Sequence, residues 1–123
     1  MANGKLIYGA DGYAGEVGHM VISASTTKKT LEENIGGYAH SKTSPAVLAE
    51  QFAMGLSNLN LIFNPDAFIL GGTVYHEVLS RHKKKIEKLI RSKSLDKGCP
   101  KLIDAGKKTS VAMGAALTAM RSI

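Results

Sequence analysis

Residues 64–72 read Asn64-Pro65-Asp66-Ala67-Phe68-Ile69-Leu70-Gly71-Gly72. The Asn-Pro-Asp triplet is typical of a turn that ends a preceding helix. The four apolar residues that follow have the length of a buried strand, and two glycines stop that run. We therefore predict a buried strand over 67–70 and a tight turn at Gly71 and Gly72.

Helical patterns flank this strand on both sides. Before it, Ser44 as N-cap and Pro45 in the first turn predict a helix start. Spacing of three to four residues predicts a buried stripe on that helix, formed by Val47, Leu48, Phe52, Leu56, Leu59 and Phe63. After the strand, Thr73 is predicted to cap a second helix that extends to about Lys93. Its predicted inward face consists of Val74, Val78, Leu79, Ile86, Leu89 and Ile90.

The rest of the chain completes a layered pattern. Residues 5–8 and 17–22 are predicted strands that flank a glycine-rich loop, and Leu31 begins a short helix that Gly36 and Gly37 stop. A strand is predicted at 101–105, and Ser110 is predicted to cap a last helix. This order favours an α/β fold with parallel strands joined by crossovers.

Composition limits the class of protein. The chain has 123 residues, of which 44% are hydrophobic, so we expect one domain spanning residues 1–123. The net charge is +6, and six Lys or Arg residues fall within 82–93. This basic run is interpreted as a solvated helix face, because no aromatic residues alternate with it to stack on nucleic-acid bases.

Cysteine content and hydropathy indicate the cellular location of the protein. Cys99 is the single cysteine, which excludes an internal disulfide and a four-cysteine zinc site. No apolar stretch approaches eighteen residues, and no signal-peptide pattern opens the sequence. We therefore expect a cytoplasmic protein without a membrane span.

The candidate binding residues lie near the start of the chain. Residues 9–20 contain four glycines together with Glu16 and His19. Glycines let the backbone adopt left-handed or unusually close conformations. A sugar hydroxyl both donates and accepts hydrogen bonds, and a carboxylate with an imidazole offers the complementary acceptor and donor. The stretch is therefore interpreted as a loop that binds a polyhydroxylated ligand.

Residues 9–19 also resemble the G-x-x-G-x-A-G-E-x-G-H signature of the ROK family, the bacterial sugar kinases and repressors. Three further landmarks follow in the family's order. Leu31-Glu32 is similar to the end of its G-C-L-E segment, residues 64–72 to its N-P-x-x-I-x-x-G-G segment, and residues 113–117 to its G-A-A helix.

The resemblance implies the C-terminal lobe of a two-lobed, actin-like (ribonuclease-H-like) fold, with a mixed sheet flanked by helices. It implies that Glu16, His19 and Glu32 bind a hexose or N-acetylhexosamine. Gly71 and Gly72 would shape the nucleotide side of the cleft, where the complete family architecture uses ATP and magnesium. The family's D-x-G-G-T phosphate loop and catalytic aspartate have no counterpart in the sequence. We therefore assign no catalytic residue and expect no appreciable kinase activity from this chain alone.

One departure from the family concerns zinc, and two other interpretations of the lobe stay open. Many members bind zinc through the matching histidine and three cysteines, but residues 23–30 contain no cysteine, so a zinc-free variant is expected. The same lobe serves sugar-responsive repressors, for which nucleic acid would be a partner, and a non-catalytic remnant is a third interpretation. An apolar face left without the other lobe would favour a homodimer.

Overall fold

The structure is a computed structural model that describes residues 7–23, 29–36 and 41–106. Four α-helices lie within these ranges: α1 Leu31–Ile35, α2 Pro45–Phe63, α3 Thr73–Glu77 and α4 Lys83–Lys93. Two strands are present, β1 Ala67–Leu70 and β2 Lys101–Asp104, and short 3-10 helices cover Val17–His19 and Leu79–His82.

The two strands form a parallel sheet, with Ala67 beside Lys101 and Leu70 beside Asp104. The connection between them passes through α3 and α4, as a crossover between parallel strands requires. The strands predicted over 67–70 and 101–105 are confirmed, and so is the general α/β class.

The core lies where α2 packs against α4 and against one face of the sheet. Its buried side chains come from both helices, from the segment that joins β1 to α4, and from the strands. The most deeply buried large ones are Leu48, Leu79, Ile86 and Ile90. On the basic segment 82–93, most of the lysine and arginine side chains are exposed, which confirms the predicted solvated face.

Both predicted ends of α2 are confirmed. The Ser44 hydroxyl accepts a hydrogen bond from the Val47 amide at 3.4 Å, and Pro45 is the first helical residue. Asn64 ends the helix in the left-handed conformation, with φ of 42°.

The predicted buried stripe of α2 is wrong at its two extremes. Val47 is 41% exposed and Phe63 is 61% exposed. The buried face also includes residues that a pattern of large apolar side chains overlooks: Ala49, Ala53, Gly55, Ser57 and Asn60. All except Asn60 are small, which lets neighbouring elements approach the helix closely. Asn60 is satisfied there, since its side-chain amide donates to the Ser94 hydroxyl at 2.9 Å.

The single helix predicted over 73–93 is broken in the structure. Gly72, not Thr73, is the N-cap, and α3 stops at Glu77 before the 3-10 helix Leu79–His82. At this break the Ser80 hydroxyl donates to the His76 carbonyl at 3.1 Å. In a continuous α-helix, the His76 carbonyl would accept from the Ser80 amide. Here the Ser80 hydroxyl donates to that carbonyl instead, a competition with the backbone that is typical of serine.

The predicted strand over 17–22 is also wrong. Val17–His19 forms a 3-10 helix, and Val21 makes only an isolated antiparallel bridge with Thr30. Ile7 and Tyr8, which belong to the predicted strand 5–8, are not in a strand. Residues 5 and 6, Gly37 and the predicted helix from Ser110 lie outside the described residues.

Helix α2 is long and apolar enough to span a membrane when judged by length and composition alone. The core helix of a soluble protein meets the same criterion, and α2 contributes much of the described core. Its hydropathy is therefore weak evidence for a membrane span.

The N-cap of α2 gives a direct test of this architecture. Replacing Ser44 with Ala removes the side-chain acceptor of the Val47 amide and should lower the free energy of unfolding by about 1 kcal/mol. Urea denaturation monitored by circular dichroism measures the change. Thr43→Ala, one residue earlier, is the matched control and should change stability by less than about 0.5 kcal/mol. Equal losses in the two variants would contradict the capping role.

Candidate functional site

The glycine-rich loop has the backbone that its sequence predicts. Gly9, Gly12 and Gly15 have φ angles of 75°, 83° and 97°, which side-chain-bearing residues rarely adopt. The loop closes on itself, because the Ala14 amide donates to the Tyr8 carbonyl at 3.0 Å. The left-handed glycine conformations that the sequence predicts for this loop are therefore confirmed.

The loop leads into the 3-10 helix that positions His19. The His19 amide donates to the Glu16 carbonyl at 3.2 Å, and Glu16 is the N-cap of this short helix. One residue later, the Met20 carbonyl accepts from the Leu31 amide at 2.8 Å. That bond holds the histidine segment against the start of α1.

Helix α1 positions Glu32. It begins with a capping box, in which the Thr30 hydroxyl accepts from the Glu33 amide and the Glu33 carboxylate accepts from the Thr30 amide at 2.8 Å. Leu31 is buried against Gly55 of α2, where a Cβ would lie only 2.7 Å from Leu31 Cδ2. The capping box fixes the helix start, and the leucine fixes the helix to the core.

These two segments form an open cleft of about 340 Å³, called the polar cleft after the polar residues that line it, although carbon makes up much of its exposed wall. Its walls carry an imidazole, a hydroxyl and two carboxylates, and the lining residues are His19, Thr30, Glu32, Glu33 and Gly36. The volume falls in the lower part of the range of roughly 300–1,000 Å³ that is usual for small-molecule sites. The donor and acceptor set suits a ligand that carries several hydroxyl groups.

Within the cleft, the two glutamates have different roles. Glu33 is committed to the capping box, whose hydrogen bonds from Thr30 lower the pKa of its carboxyl, with nearby Lys29 and His19 adding smaller effects in the same direction. Glu32 packs on Gly18, where a Cβ would lie 3.2 Å from Glu32 Oε2. Among the described residues, no group forms a hydrogen bond or an ion pair with the Glu32 carboxylate, which leaves it available to a ligand.

The structure brings only part of the predicted site together. His19 and Glu32 line the same cleft, whereas Glu16, Gly71 and Gly72 are not among the residues that line it. Thr30 and Glu33 were missed as cleft residues. Their Thr-x-x-Glu spacing is the sequence signature of a capping box and could have located the start of α1.

Gly71 and Gly72 lie at the carboxyl end of β1, directly before α3. Gly72 has a φ of 92°, and a Cβ at Gly71 would lie 3.1 Å from the Cβ of Ala105. The turn therefore needs glycine at the first position for close approach and at the second for backbone conformation. Both residues are exposed, as the predicted nucleotide-facing turn requires.

A larger groove of about 610 Å³ runs along α2 and is lined by other residue types. Its lining is mostly aliphatic and includes Val21, Met54 and Leu61, with Glu50 and Lys93 among its few charged groups. Such a surface offers little to a sugar. In the described ranges, no three His, Cys, Asp or Glu side chains are grouped as a metal ion would need.

Comparison with known proteins does not identify a relative: no family model, no curated protein and no solved structure matches this chain. The site must therefore be judged on its own geometry.

The contact between Leu31 and Gly55 can be tested by adding one methyl group. Alanine in place of glycine usually stabilises a helix by about 1 kcal/mol. Here we expect Gly55→Ala to destabilise the protein by about 1–3 kcal/mol, because the new Cβ overlaps a buried leucine. The Gly36 amide, which donates to the Glu32 carbonyl, should exchange its hydrogen faster. Urea denaturation and amide exchange measure the two effects.

The Leu31→Ala background supplies the control for this variant. With the leucine side chain shortened, the same Gly55→Ala change should become neutral or stabilising. A loss of equal size in both backgrounds would show that the steric explanation is wrong.

The capping box predicts an acid-sensitive α1. Because the folded-state pKa of Glu33 is lowered, its contribution to stability is fully present above the unfolded-state pKa. That contribution is lost as pH falls through the folded-state pKa. Side-chain NMR titration should give Glu33 a lower pKa than glutamate in an unstructured peptide. In Glu33→Gln, the protection of α1 amides from hydrogen exchange should fall less as the pH is lowered than it does in the parent protein. An unchanged pH dependence would count against the capping box.

Proposed function

We propose that this chain is the sugar-binding, C-terminal lobe of a zinc-free ROK-family sugar kinase with an actin-like fold. One observation carries the proposal: His19 and Glu32, which the family resemblance independently marks as sugar ligands, line the same polar cleft. Their positions are separated by twelve other residues in the sequence, so the spacing alone does not explain why they are neighbours.

The cleft chemistry fits a hexose or an N-acetylhexosamine. The Glu32 carboxylate can accept hydrogen bonds from two adjacent hydroxyls, and the His19 imidazole can donate to a third oxygen. Glu16 follows the glycine turn and is exposed. In this proposal it reaches the sugar from outside the cleft, as a weaker contact than Glu32.

In the complete kinase architecture, the reaction is transfer of the terminal phosphoryl group of magnesium-ATP to a sugar hydroxyl. Such catalysis depends on positioning and on neutralising charge. The groups proposed here orient the sugar, while Gly71 and Gly72 leave the backbone open to the nucleotide. A base that takes the hydroxyl proton would come from the other lobe.

The exposed face of the sheet supports an association partner. Ile69 is 73% exposed and Ile103 is 45% exposed, and the two are neighbours across the parallel pair. Parallel sheets are usually covered on both faces. We propose a cytoplasmic protein in which this face is covered on assembly, with a homodimer as the simplest case.

Calorimetric titration with glucose, N-acetylglucosamine and N-acetylmannosamine tests the sugar site. At least one of these sugars should bind. Glu32→Ala and His19→Ala should each weaken binding by about tenfold, because each removes a hydrogen bond between a charged or polar side chain and the sugar. Glu16→Ala should have a smaller effect. The assay is run with magnesium present and without nucleotide, so that only the sugar site is measured.

Glu77→Ala is the matched control, because Glu77 is an exposed glutamate at the end of the short helix α3 and does not line the cleft. It should leave sugar affinity unchanged. The proposal is abandoned if none of the three sugars binds, or if Glu32→Ala binds as tightly as Glu77→Ala.

A further inference from the structure

A second polar pair lies at the carboxyl edge of the sheet, apart from the cleft residues. The imidazole Nδ1 of His76 is 3.5 Å from Oδ1 of Asp104, the last residue of β2. The same carboxylate oxygen accepts a hydrogen bond from the Gly106 amide at 2.7 Å. The Asp104 carboxylate is therefore oriented by the chain that follows it.

The pair is joined to the glycine turn by direct contacts. The His76 amide donates to the Gly72 carbonyl at 3.1 Å, and the Ala105 amide donates to the Leu70 carbonyl at 2.8 Å. Ala105 also packs against Gly71. The turn after β1, the end of β2 and His76 thus form one local cluster.

The position of this cluster is the one at which open α/β sheets bind ligands, beyond the carboxyl ends of parallel strands. Exposure differs between the two side chains: the His76 side chain is only 13% exposed, whereas that of Asp104 is 51% exposed. The histidine is held against the protein, and the carboxylate is reachable from solvent.

The chemistry of the pair favours a ligand that donates hydrogen bonds. A carboxylate can accept about four hydrogen bonds, and the Gly106 amide and the His76 imidazole face two of these positions, both on Oδ1. The neighbouring carboxylate favours the histidine tautomer with hydrogen on Nδ1, which leaves Nε2 as an acceptor. The remaining acceptor positions of the Asp104 carboxylate match a pair of adjacent hydroxyl groups.

We propose that Asp104, positioned by His76, binds the ribose hydroxyls of a nucleotide that passes over Gly71 and Gly72. This inference rests on the proposed function for its choice of a nucleotide. It adds a specific ribose contact, in which Asp104 accepts from the hydroxyls and His76 positions the carboxylate.

The test compares magnesium-ATP with magnesium 2′,3′-dideoxy-ATP, by calorimetry on the 123-residue chain. The protein should bind ATP about tenfold more tightly than the dideoxy analogue, because the analogue lacks the groups that donate to the carboxylate. Asp104→Asn keeps an oxygen for the Gly106 amide but replaces one acceptor with a donor. It should reduce the preference to about twofold or less, and His76→Asn should reduce it partly. Dideoxy-ATP affinity should change little in either variant.

Asp66→Asn supplies the matched control, because Asp66 is an exposed aspartate just before β1, at the opposite edge of the same sheet. It should retain the full preference for ATP. Circular dichroism checks that each variant is folded, and the comparison of the two nucleotides on the unaltered protein needs no variant.

The outcomes separate the two proposals. If both nucleotides bind with equal affinity to the unaltered protein, or if Asp104→Asn keeps the preference, the ribose contact is wrong while nucleotide binding stands. If neither nucleotide binds, the nucleotide part of the proposed function fails together with this inference. The sugar titration then decides the sugar part separately.

Discussion

The packing of α2 against α4 is the constraint on which the other described elements depend. The side chains of Leu48, Ile86 and Ile90 are completely buried there. The interface is closed by a polar contact at each end. Near the helix starts, Lys85 and Glu50 form an ion pair at 2.7 Å, and near the helix ends Asn60 donates to Ser94. The two helices therefore run side by side in the same direction, as two helices that cover one face of a parallel sheet do.

The geometry of the polar cleft depends on this core. Helix α1 has five residues, too few for an isolated helix to be stable in water. Its position depends on Leu31 resting against Gly55, and on Gln51 of α2, whose side-chain amide donates to Asn34 at 3.2 Å. Glu32 is therefore held near His19 by contacts on the opposite side of its own helix. A change in the core of α2 is transmitted to the cleft through these two contacts.

Much of the fold could be predicted from local chemistry. Ser44, Pro45 and Asn64 mark the ends of α2 because each satisfies a local backbone requirement, and strand 67–70 is marked by its apolar run between a turn and two glycines. Errors arose where hydrogen bonds that side-chain periodicity does not encode decide the structure. Residues 17–22 have strand-forming side chains but only one bridge to Thr30, and Ser80 ends a helical pattern that periodicity alone would continue. The cleft could be predicted only in part, since its two walls meet through Leu31 and Gly55.

The exposure of the cleft sets the kind of affinity it can provide. His19, Glu32 and Glu33 are all exposed, so a hydrogen bond to a ligand replaces one to water. Such an exchange adds only about 1 kcal/mol of net free energy. Hydrogen bonds to charged groups become stronger when a second surface excludes water. Under the proposed function, a second surface laid over the cleft would therefore strengthen sugar binding without altering any residue of the cleft.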